Sequence, residues 1–171
     1  MIFKARDNRE FVVVTPLSNG LIQQLKAHSL NERDEALAIT SDRERFGLGS
    51  YEKWLKKDRT AYALVTRTRN TNSRRLAALV WFGPESFEGA GHTEWHTSAW
   101  RSYLPFRGLG FMGAFLRYSI AEYRKLRPSA WIWAGVKYEN TASQRLAESA
   151  GFTIANKIPA EGKLLMVLPK V

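Results

Sequence analysis

The chain of 171 residues is long enough for one domain with a buried core, and it contains no cysteine. The missing cysteines exclude a disulfide framework, thiolate zinc sites and a cysteine nucleophile. Twenty-six Lys and Arg against 16 Asp and Glu give a formal net charge of +10, which indicates an anionic partner such as a phosphate-rich cofactor or a nucleic acid, unless the charge serves solubility alone.

Neither a membrane span nor a secretory leader is predicted. The longest apolar run, residues 76–82, is far shorter than the roughly 20 residues that a bilayer-spanning helix needs. The first ten residues mix basic and acidic side chains and have no apolar core. We therefore expect one soluble, cytoplasmic domain over residues 1–171 that does not contact a membrane and is a monomer or a homodimer.

In chain order, the first predicted element is a strand over residues 11–15, which are apolar or β-branched and end at Pro16. Residues 18–28 carry apolar side chains at helical spacing and predict a helix. A second helical stretch is predicted over residues 32–45, and residues 51–57 predict a short basic helix. In the predicted order this part of the chain is written β-α-(α).

The middle of the chain predicts three strands and the longest helix. Residues 60–68 and 74–82 are strands joined by a turn-rich sequence, and the second is apolar on both faces, which favours a central position in the sheet. Residues 92–102 predict a third strand. Apolar side chains then recur at helical spacing over residues 109–127, and Pro128 ends this helix.

The carboxy-terminal part predicts a strand over residues 131–136, a helix over residues 139–150 that Gly151 caps, and two closing strands over residues 152–158 and 163–168. The predicted order is β-α-(α)-β-β-β-α-β-α-β-β. Hairpins give antiparallel pairs and strand-helix-strand crossovers give parallel pairs, so the predicted fold class is α/β (α+β), with a mixed central sheet of about seven strands flanked by helices.

A glycine-rich turn precedes the longest predicted helix. Gly108, Gly110 and Gly113 fall within six residues, where they let a phosphate approach the backbone. The first N–H groups of a helix have no partner inside it, and the helix dipole favours an anion there. A tight strand-to-helix turn explains the same glycines, so both interpretations stay open at this point.

A second pattern marks the last predicted helix. Asn140 is a good N-cap, Thr141 and Gln144 have the spacing of a capping box, and Gly151 is placed as a C-terminal cap before Phe152. Capping alone is therefore a sufficient explanation of this pattern taken by itself.

Taken together, the two patterns are more specific. A strand, an Arg-x-x-Gly turn with its helix, a further strand and then Asn-x-x-Ser-x-x-Leu-x-x-x-x-Gly-Phe resemble the GNAT superfamily of acyl-CoA-dependent N-acetyltransferases. The resemblance covers the element order of nearly the whole chain, and its motifs lie in residues 97–152. It implies a GNAT-like fold, acetyl-CoA as co-substrate and no metal.

The resemblance also implies which residues bind the cofactor. In the family, the amides of an Arg/Gln-x-x-Gly-x-Gly/Ala turn hold the coenzyme A pyrophosphate; Arg107 and Gly110 match this pattern, and Met112 departs from it. The preceding strand end pairs with the pantetheine arm, and the Asn of the last helix contacts the cofactor. The implied residues are Trp100, Arg101, Ser102, Arg107, Gly108, Leu109, Gly110, Phe111, Met112, Gly113, Asn140 and Ser143.

The proton donor common in the family is missing. Many members carry a Tyr seven residues after the Asn, which protonates the departing thiolate, and that position is Ala147 here. Some members that acetylate protein N-termini carry a Ser at the position of Ser143. Since Ser143 shares a helical face with Asn140, we name it as a candidate catalytic donor, and an ordinary first-turn serine is the alternative.

An amine attacks only in its neutral form, so the reaction also needs a base. Glu94 and His96 share a face of their predicted strand and are the candidate bases, and Tyr138 and Glu139 near the last helix are further candidates. Strand-end amides near Ser102 are expected to polarise the thioester carbonyl. The sequence does not choose among the bases.

The predicted function is transfer of an acetyl group from acetyl-CoA to an amine acceptor by direct attack in a ternary complex. Basic clusters in residues 53–59 and 67–75 make an anionic acceptor one possibility. Acceptors consistent with the pattern are a protein N-terminus, a lysine, an aminoacyl-tRNA and a small amine. The alternative is a catalytically inactive module of the same fold that is regulatory or binds nucleic acid.

Overall fold

Eight strands and five α-helices are present in residues 1–38, 40–86, 94–158 and 162–170, the part of the chain that this computed structural model describes. The strands are β1 (Ile2–Lys4), β2 (Glu10–Val14), β3 (Thr60–Thr66), β4 (Leu76–Pro84), β5 (Trp95–Ser102), β6 (Trp131–Lys137), β7 (Thr153–Ile158) and β8 (Lys163–Leu168). The helices are α1 (Asn19–Ser29), α2 (Glu35–Ala38), α3 (Tyr51–Leu55), α4 (Met112–Leu126) and α5 (Thr141–Ser149).

All eight strands form one mixed sheet in the order β1-β2-β3-β4-β5-β6-β8-β7. Strands β5 and β6 are parallel, because α4 connects them, and the other neighbours are antiparallel. Strand β4 lies inside the sheet and is buried on both faces, with Trp81 on one face and Phe82 on the other. The mixed sheet and the central place of β4 are therefore as predicted.

Helices cover the two faces of the sheet with separate cores. Helix α4 packs Phe115, Leu116 and Tyr123 against one face, as its helical spacing predicts. The segment from α1 to α3 covers the other face, where Leu25 and Trp54 are buried. Within the described residues, no helix is long and apolar enough to cross a bilayer.

Two elements differ from the sequence prediction. Strand β1 was not predicted, because it has three residues and buries only the middle one, which is too short to set a periodicity. The helix expected over residues 32–45 is limited to α2 and is followed by a π-helical turn, Arg43–Gly47. Part of the expected strand over residues 92–102 lies outside the described residues, as does most of the last turn.

The pairing of β5 with β6 ends before either strand ends. Their register runs from Trp95↔Trp131 to Thr97↔Trp133 and goes no further. Beyond that point both strands continue, each paired on its outer side, so they separate like the arms of a V. The glycine-rich turn and α4 follow β5 at the open end, where the fold creates a cleft.

Candidate active site

A cleft of about 800 Å³ occupies the opening between β5 and β6. Its walls include β5, the glycine-rich turn, β6, the first turns of α5 and the region of α2. All twelve residues predicted to bind a cofactor lie on this one cleft: Trp100, Arg101, Ser102, Arg107, Gly108, Leu109, Gly110, Phe111, Met112, Gly113, Asn140 and Ser143. The fold thus brings together two motifs that are some 30 residues apart in the sequence.

The direction of the β5 backbone follows from two hydrogen bonds at its ends. Directly after β5, the amide of Tyr103 donates to the carbonyl of Ala77 on the β4 side. Directly before β5, the carbonyl of Glu94 accepts from the amide of Trp131 on the β6 side. Because these directions alternate along a strand, the even-numbered residues of β5 direct both N–H and C=O toward β6.

The opening between the strands therefore presents amide donors. The register with β6 ends at Thr97, so the amides of Trp100 and Ser102 face the cleft. The carbonyls of the same two residues are engaged: Arg101 Nη1 donates to Trp100 O at 2.8 Å, and Arg107 Nη2 donates to Ser102 O at 2.9 Å. A ligand with carbonyl acceptors fits such a strand edge.

Arg107 fixes the turn through a buried carboxylate. Its Nη1 and Nη2 donate to Asp34 Oδ1 and Oδ2 at 2.9 and 2.8 Å, and the side chain of Asp34 is 2% exposed. Hydrogen bonding from Arg107 lowers the pKa of Asp34, against the opposing effect of burial. The guanidinium thus joins the segment before α2, the end of β5 and the glycine-rich turn, and Asp34 neutralises its charge.

The glycine-rich turn is shaped by two left-handed residues. Gly108 has φ of +83° and Gly110 has φ of +85°, a conformation that other residues adopt only at a cost. Backbone amides in such a turn converge to form an anion-binding concavity. Helix α4 begins at Met112, so its free first-turn amides and the positive end of its dipole add to this site.

Asn140 and Ser143 occupy the start of α5. Asn140 Oδ1 accepts a hydrogen bond from the amide of Ser143 at 3.0 Å, so Asn140 is the N-cap. Ser143 Oγ accepts from the indole Nε1 of Trp100 at 3.1 Å. Because that oxygen already accepts from Trp100, the hydroxyl proton of Ser143 is available for donation into the cleft.

Ala147, at the position of the family's usual tyrosine, is fully buried in the core. Its carbonyl accepts the amides of Ala150 and Phe152, and the ring of Phe152 lies 5.8 Å from that of Trp100. Because Ala147 is fully buried, a tyrosine ring at this position would have to displace its neighbours in the core.

Glu94 and His96 do not line the cleft. They line a second cavity of about 220 Å³, formed with Asp58, Arg127 and the residues that follow α4. Glu94 precedes β5, and His96 Nδ1 is hydrogen-bonded to the hydroxyl of Tyr123. This cavity lies at the amino ends of β5 and β6, whereas the cleft lies at their carboxyl ends.

The two further candidate bases are placed differently again. Tyr138 and Glu139 are exposed between β6 and α5, and neither contributes to the cleft wall. The described part of the cleft therefore contains none of the four side chains that the sequence suggested as bases.

Sequence reasoning missed two buried carboxylates and one arginine. Asp34 binds Arg107, and Asp42, 1% exposed, accepts from Arg101 Nε at 2.9 Å and from Arg45 Nη1 at 3.0 Å. The missed arginine is Arg6, which reaches the cleft from the turn between β1 and β2. Pairs 59 and 73 residues apart leave no local pattern in the sequence.

Several solved structures with a similar fold are described as acetyltransferases. A putative GNAT-family acetyltransferase from Bordetella pertussis superposes with a TM-score of 0.68 and 19% identity, covering 100% of this chain and 99% of that one. Spermidine N-acetyltransferase from Vibrio cholerae, in complex with CoA and spermine, gives 0.68 and 14%, covering 92% of each chain. A putative acetyltransferase from Salmonella typhimurium with its cofactor acetyl-CoA gives 0.63 and 18%, covering 94% of each.

At these identities the likeness establishes the fold, which is that of the GNAT acetyltransferases, as the sequence motifs predict. No protein-family model matches the sequence, and no curated protein is significantly similar to it.

Proposed function

We propose that this protein transfers an acetyl group from acetyl-CoA to an amine acceptor. The observation that carries the proposal is the meeting, in one cleft, of the outward amides of β5 with the glycine-rich turn at the start of α4. The first suits the amide carbonyls of a pantetheine arm, and the second suits a pyrophosphate. Few other ligands combine these two parts.

Acetyl-CoA would supply an activated acetyl thioester. The amides from Gly108 to Gly113 would hold its pyrophosphate, and the amides of Trp100 and Ser102 would hold the pantetheine arm and the thioester carbonyl. Donors fixed by the sheet stabilise negative charge that develops on such a carbonyl oxygen, without reorganising as it forms. The acceptor nitrogen forms a bond to the acetyl carbon as the carbon–sulfur bond breaks, and the proton lost by the nitrogen passes to water.

Ser143 is our candidate for stabilising the leaving sulfur. Its Oγ accepts from Trp100, which leaves the hydroxyl proton of Ser143 for donation and makes the hydroxyl a better donor. A thiol titrates near pH 8.5, so a thiolate is a fair leaving group and a hydrogen bond is a sufficient aid. Ser143 would therefore donate to the departing thiolate in place of the tyrosine that Ala147 replaces.

The acceptor is an amine, and the charge of the cleft restricts its class. Among the described residues, every charged side chain on the cleft wall is a cation: Arg6, Arg101, Arg107, Lys137 and Lys163. A polycation such as spermine would meet repulsion from this uniformly cationic wall, for example from Lys137 at the end of β6. We therefore propose an acceptor amine on a neutral or anionic molecule rather than a polyamine.

Two measurements test the function. At free ligand about 100 times the dissociation constant, acetyl-CoA is expected to stabilise the fold by roughly 2.7 kcal/mol, well beyond the effect of equimolar phosphate. A screen of amine acceptors read by thiol release is expected to find turnover with an amino acid, peptide N-terminus or aminoacyl compound and none with spermidine. A thermal shift no larger than that from phosphate contradicts the proposal.

The screen also separates the enzyme from a binding module. A module without catalysis would bind nucleic acid with a steep dependence on salt and release no thiol with any acceptor. Thiol release that depends on both acetyl-CoA and one amine supports the enzyme.

A further inference from the structure

The turn between β1 and β2 is fastened to the glycine-rich turn. The amide of Arg6 donates to the carbonyl of Leu109 at 3.0 Å. Three residues further on, the guanidinium of Arg9 lies 5.2 Å from the centre of the Phe106 ring. The turn is itself closed by a hydrogen bond from Ala5 N to Arg9 O at 2.9 Å. Two attachments therefore hold the position of Arg6 beside the proposed phosphate site.

The side chain of Arg6 crosses directly over Gly110. A Cβ atom placed on Gly110 would lie 2.8 Å from Arg6 Nε and 3.2 Å from its Cγ. Arg6 also lines the cleft, and its guanidinium forms no hydrogen bond or ion pair with another described residue. Its five N–H donors thus lie at the glycine-rich turn without a protein acceptor among the described residues.

The charge of the other arginine at this site is already balanced. Arg107 is held by both oxygens of Asp34, which is 2% exposed. A guanidinium matches a phosphate in a bidentate way and adds a full positive charge to the partial charges of the amide dipoles. The guanidinium donors of Arg6 are available to bind a phosphate, whereas those of Arg107 already bind Asp34.

We propose that Arg6 binds the pyrophosphate of coenzyme A, as the cation that completes the site formed by the glycine-rich turn. This inference rests on the proposed function, because it deepens the cofactor site. It assigns Arg107 to positioning: Arg107 holds the turn in place through Asp34 and Ser102, while Arg6, from a distant part of the sequence, supplies the charge.

Calorimetric titration of Arg6→Gln tests the proposal with three ligands. Coenzyme A carries the pyrophosphate and a 3′-phosphate, 3′-dephospho-CoA keeps only the pyrophosphate, and pantetheine has neither. Loss of a charge-assisted hydrogen bond is expected to raise the dissociation constants of the first two by about 10-fold or more at low salt. Binding of pantetheine, measured at millimolar concentration, is expected to stay within about twofold of wild type.

Lys4→Gln is the matched control. Lys4 is exposed two residues earlier on β1, so the substitution removes the same charge without touching the turn, and less than a twofold change is expected. The plot of log affinity against log salt for coenzyme A is expected to flatten in Arg6→Gln and not in Lys4→Gln. Both variants alter exposed side chains, and thermal unfolding is expected to show them folded like wild type.

Each of the other outcomes is informative. Equal affinities of Arg6→Gln and Lys4→Gln for coenzyme A would overturn the proposal while leaving the proposed function intact. Weaker binding of coenzyme A with unchanged binding of 3′-dephospho-CoA would place Arg6 at the 3′-phosphate and overturn the pyrophosphate assignment. Absence of coenzyme A binding by the wild-type protein would overturn the proposed function, and this inference with it.

Discussion

Trp100 and Ser143 join the sheet to the last helix by one hydrogen bond, from the indole Nε1 to the serine Oγ at 3.1 Å. Trp100 is 7% exposed and packs against Phe152, which follows Gly151 at the end of α5. The contact fixes the rotamer of Ser143 from the β5 side, while Asn140 fixes its backbone from the helix side. The serine oxygen is therefore held in one position, as the role proposed for Ser143 at the leaving sulfur requires.

Ser143→Ala is expected to lower kcat by about 10- to 100-fold, at or below the low end for general acids, because serine is a weak acid and a water can replace it. The affinity for acetyl-CoA is expected to change less than twofold, since the interaction forms mainly in the transition state. Steady-state kinetics and calorimetry check the two parts.

Ser149→Ala is the control for this change. Ser149 is exposed on the same helix, where its Oγ donates to the carbonyl of Leu146, so wild-type turnover is expected. Wild-type turnover in Ser143→Ala, under conditions where chemistry limits the rate, would remove Ser143 from the mechanism.

Ala147→Tyr is expected to destabilise the fold rather than restore a donor, because Ala147 is fully buried.

Replacing the two left-handed glycines of the turn is expected to weaken coenzyme A binding to different degrees. Gly108→Ala meets no atom within 4 Å, so its cost is the backbone strain of about 1–2 kcal/mol alone. Gly110→Ala adds a contact of 2.8 Å with Arg6 Nε and moves that side chain. We expect both to lower stability and Gly110→Ala to weaken coenzyme A binding more, as measured by calorimetry.

Gly20→Ala provides the reference for these substitutions. Gly20 lies in the first turn of α1 with open space around it, so alanine is expected to be neutral or to stabilise by up to about 1 kcal/mol. Equal coenzyme A affinities for the Gly108→Ala and Gly110→Ala variants would contradict the binding role proposed for Arg6 beside the glycine-rich turn.

The parts of the fold that could be predicted from the sequence are those that leave a local pattern. The helical spacing of α4, the doubly apolar β4 and the two motifs could be recognised because each signal lies within a few neighbouring residues, and the fold brings the twelve residues predicted to bind a cofactor to one cleft. Strand β1 was not predicted because three residues are too few to show a periodic pattern of apolar side chains. The expected helix over residues 32–45 was too long, since tertiary contacts of Asp34 and Asp42 with distant arginines determine the backbone there.

Asp34→Asn is expected to lower the free energy of unfolding by about 2–4 kcal/mol, because it leaves the guanidinium of Arg107 without its charge partner. Since folding lowers the pKa of Asp34, its contribution is fully present above the unfolded value near 3.8 and is lost as pH falls through the folded value. The difference between wild type and variant is therefore expected to shrink below about pH 4 in urea unfolding.

Asp58→Asn is the matched control for Asp34→Asn. Asp58 also binds an arginine with both oxygens, but its side chain is 57% exposed and that of Arg127 is 46% exposed. An exposed pair of this kind contributes about 1 kcal/mol or less. Similar losses in the two variants would contradict the structural role assigned to Asp34.

His96 is buried beside the second cavity and does not lie in the cleft. Burial lowers its pKa, and burial also lowers that of His28, whose ring stacks on Tyr103 at 4.5 Å. Both imidazoles are thus neutral in the folded protein near pH 7. The unfolded chain binds protons more readily below about pH 6.5, so the free energy of unfolding is expected to fall as pH drops from 7 to 5.

His96→Gln removes one of these two titrations. It is expected to lower the free energy of unfolding by about 1–2 kcal/mol at pH 7, because the hydrogen bond with Tyr123 is lost. It is also expected to flatten the pH dependence of stability. His28→Gln is the parallel variant for the other histidine. Because the cleft lies at the other ends of β5 and β6, the pH profile of kcat/KM is expected to match wild type. Loss of a limb of that profile in His96→Gln, measured at a low temperature where the variant is folded, would return His96 to the role of catalytic base.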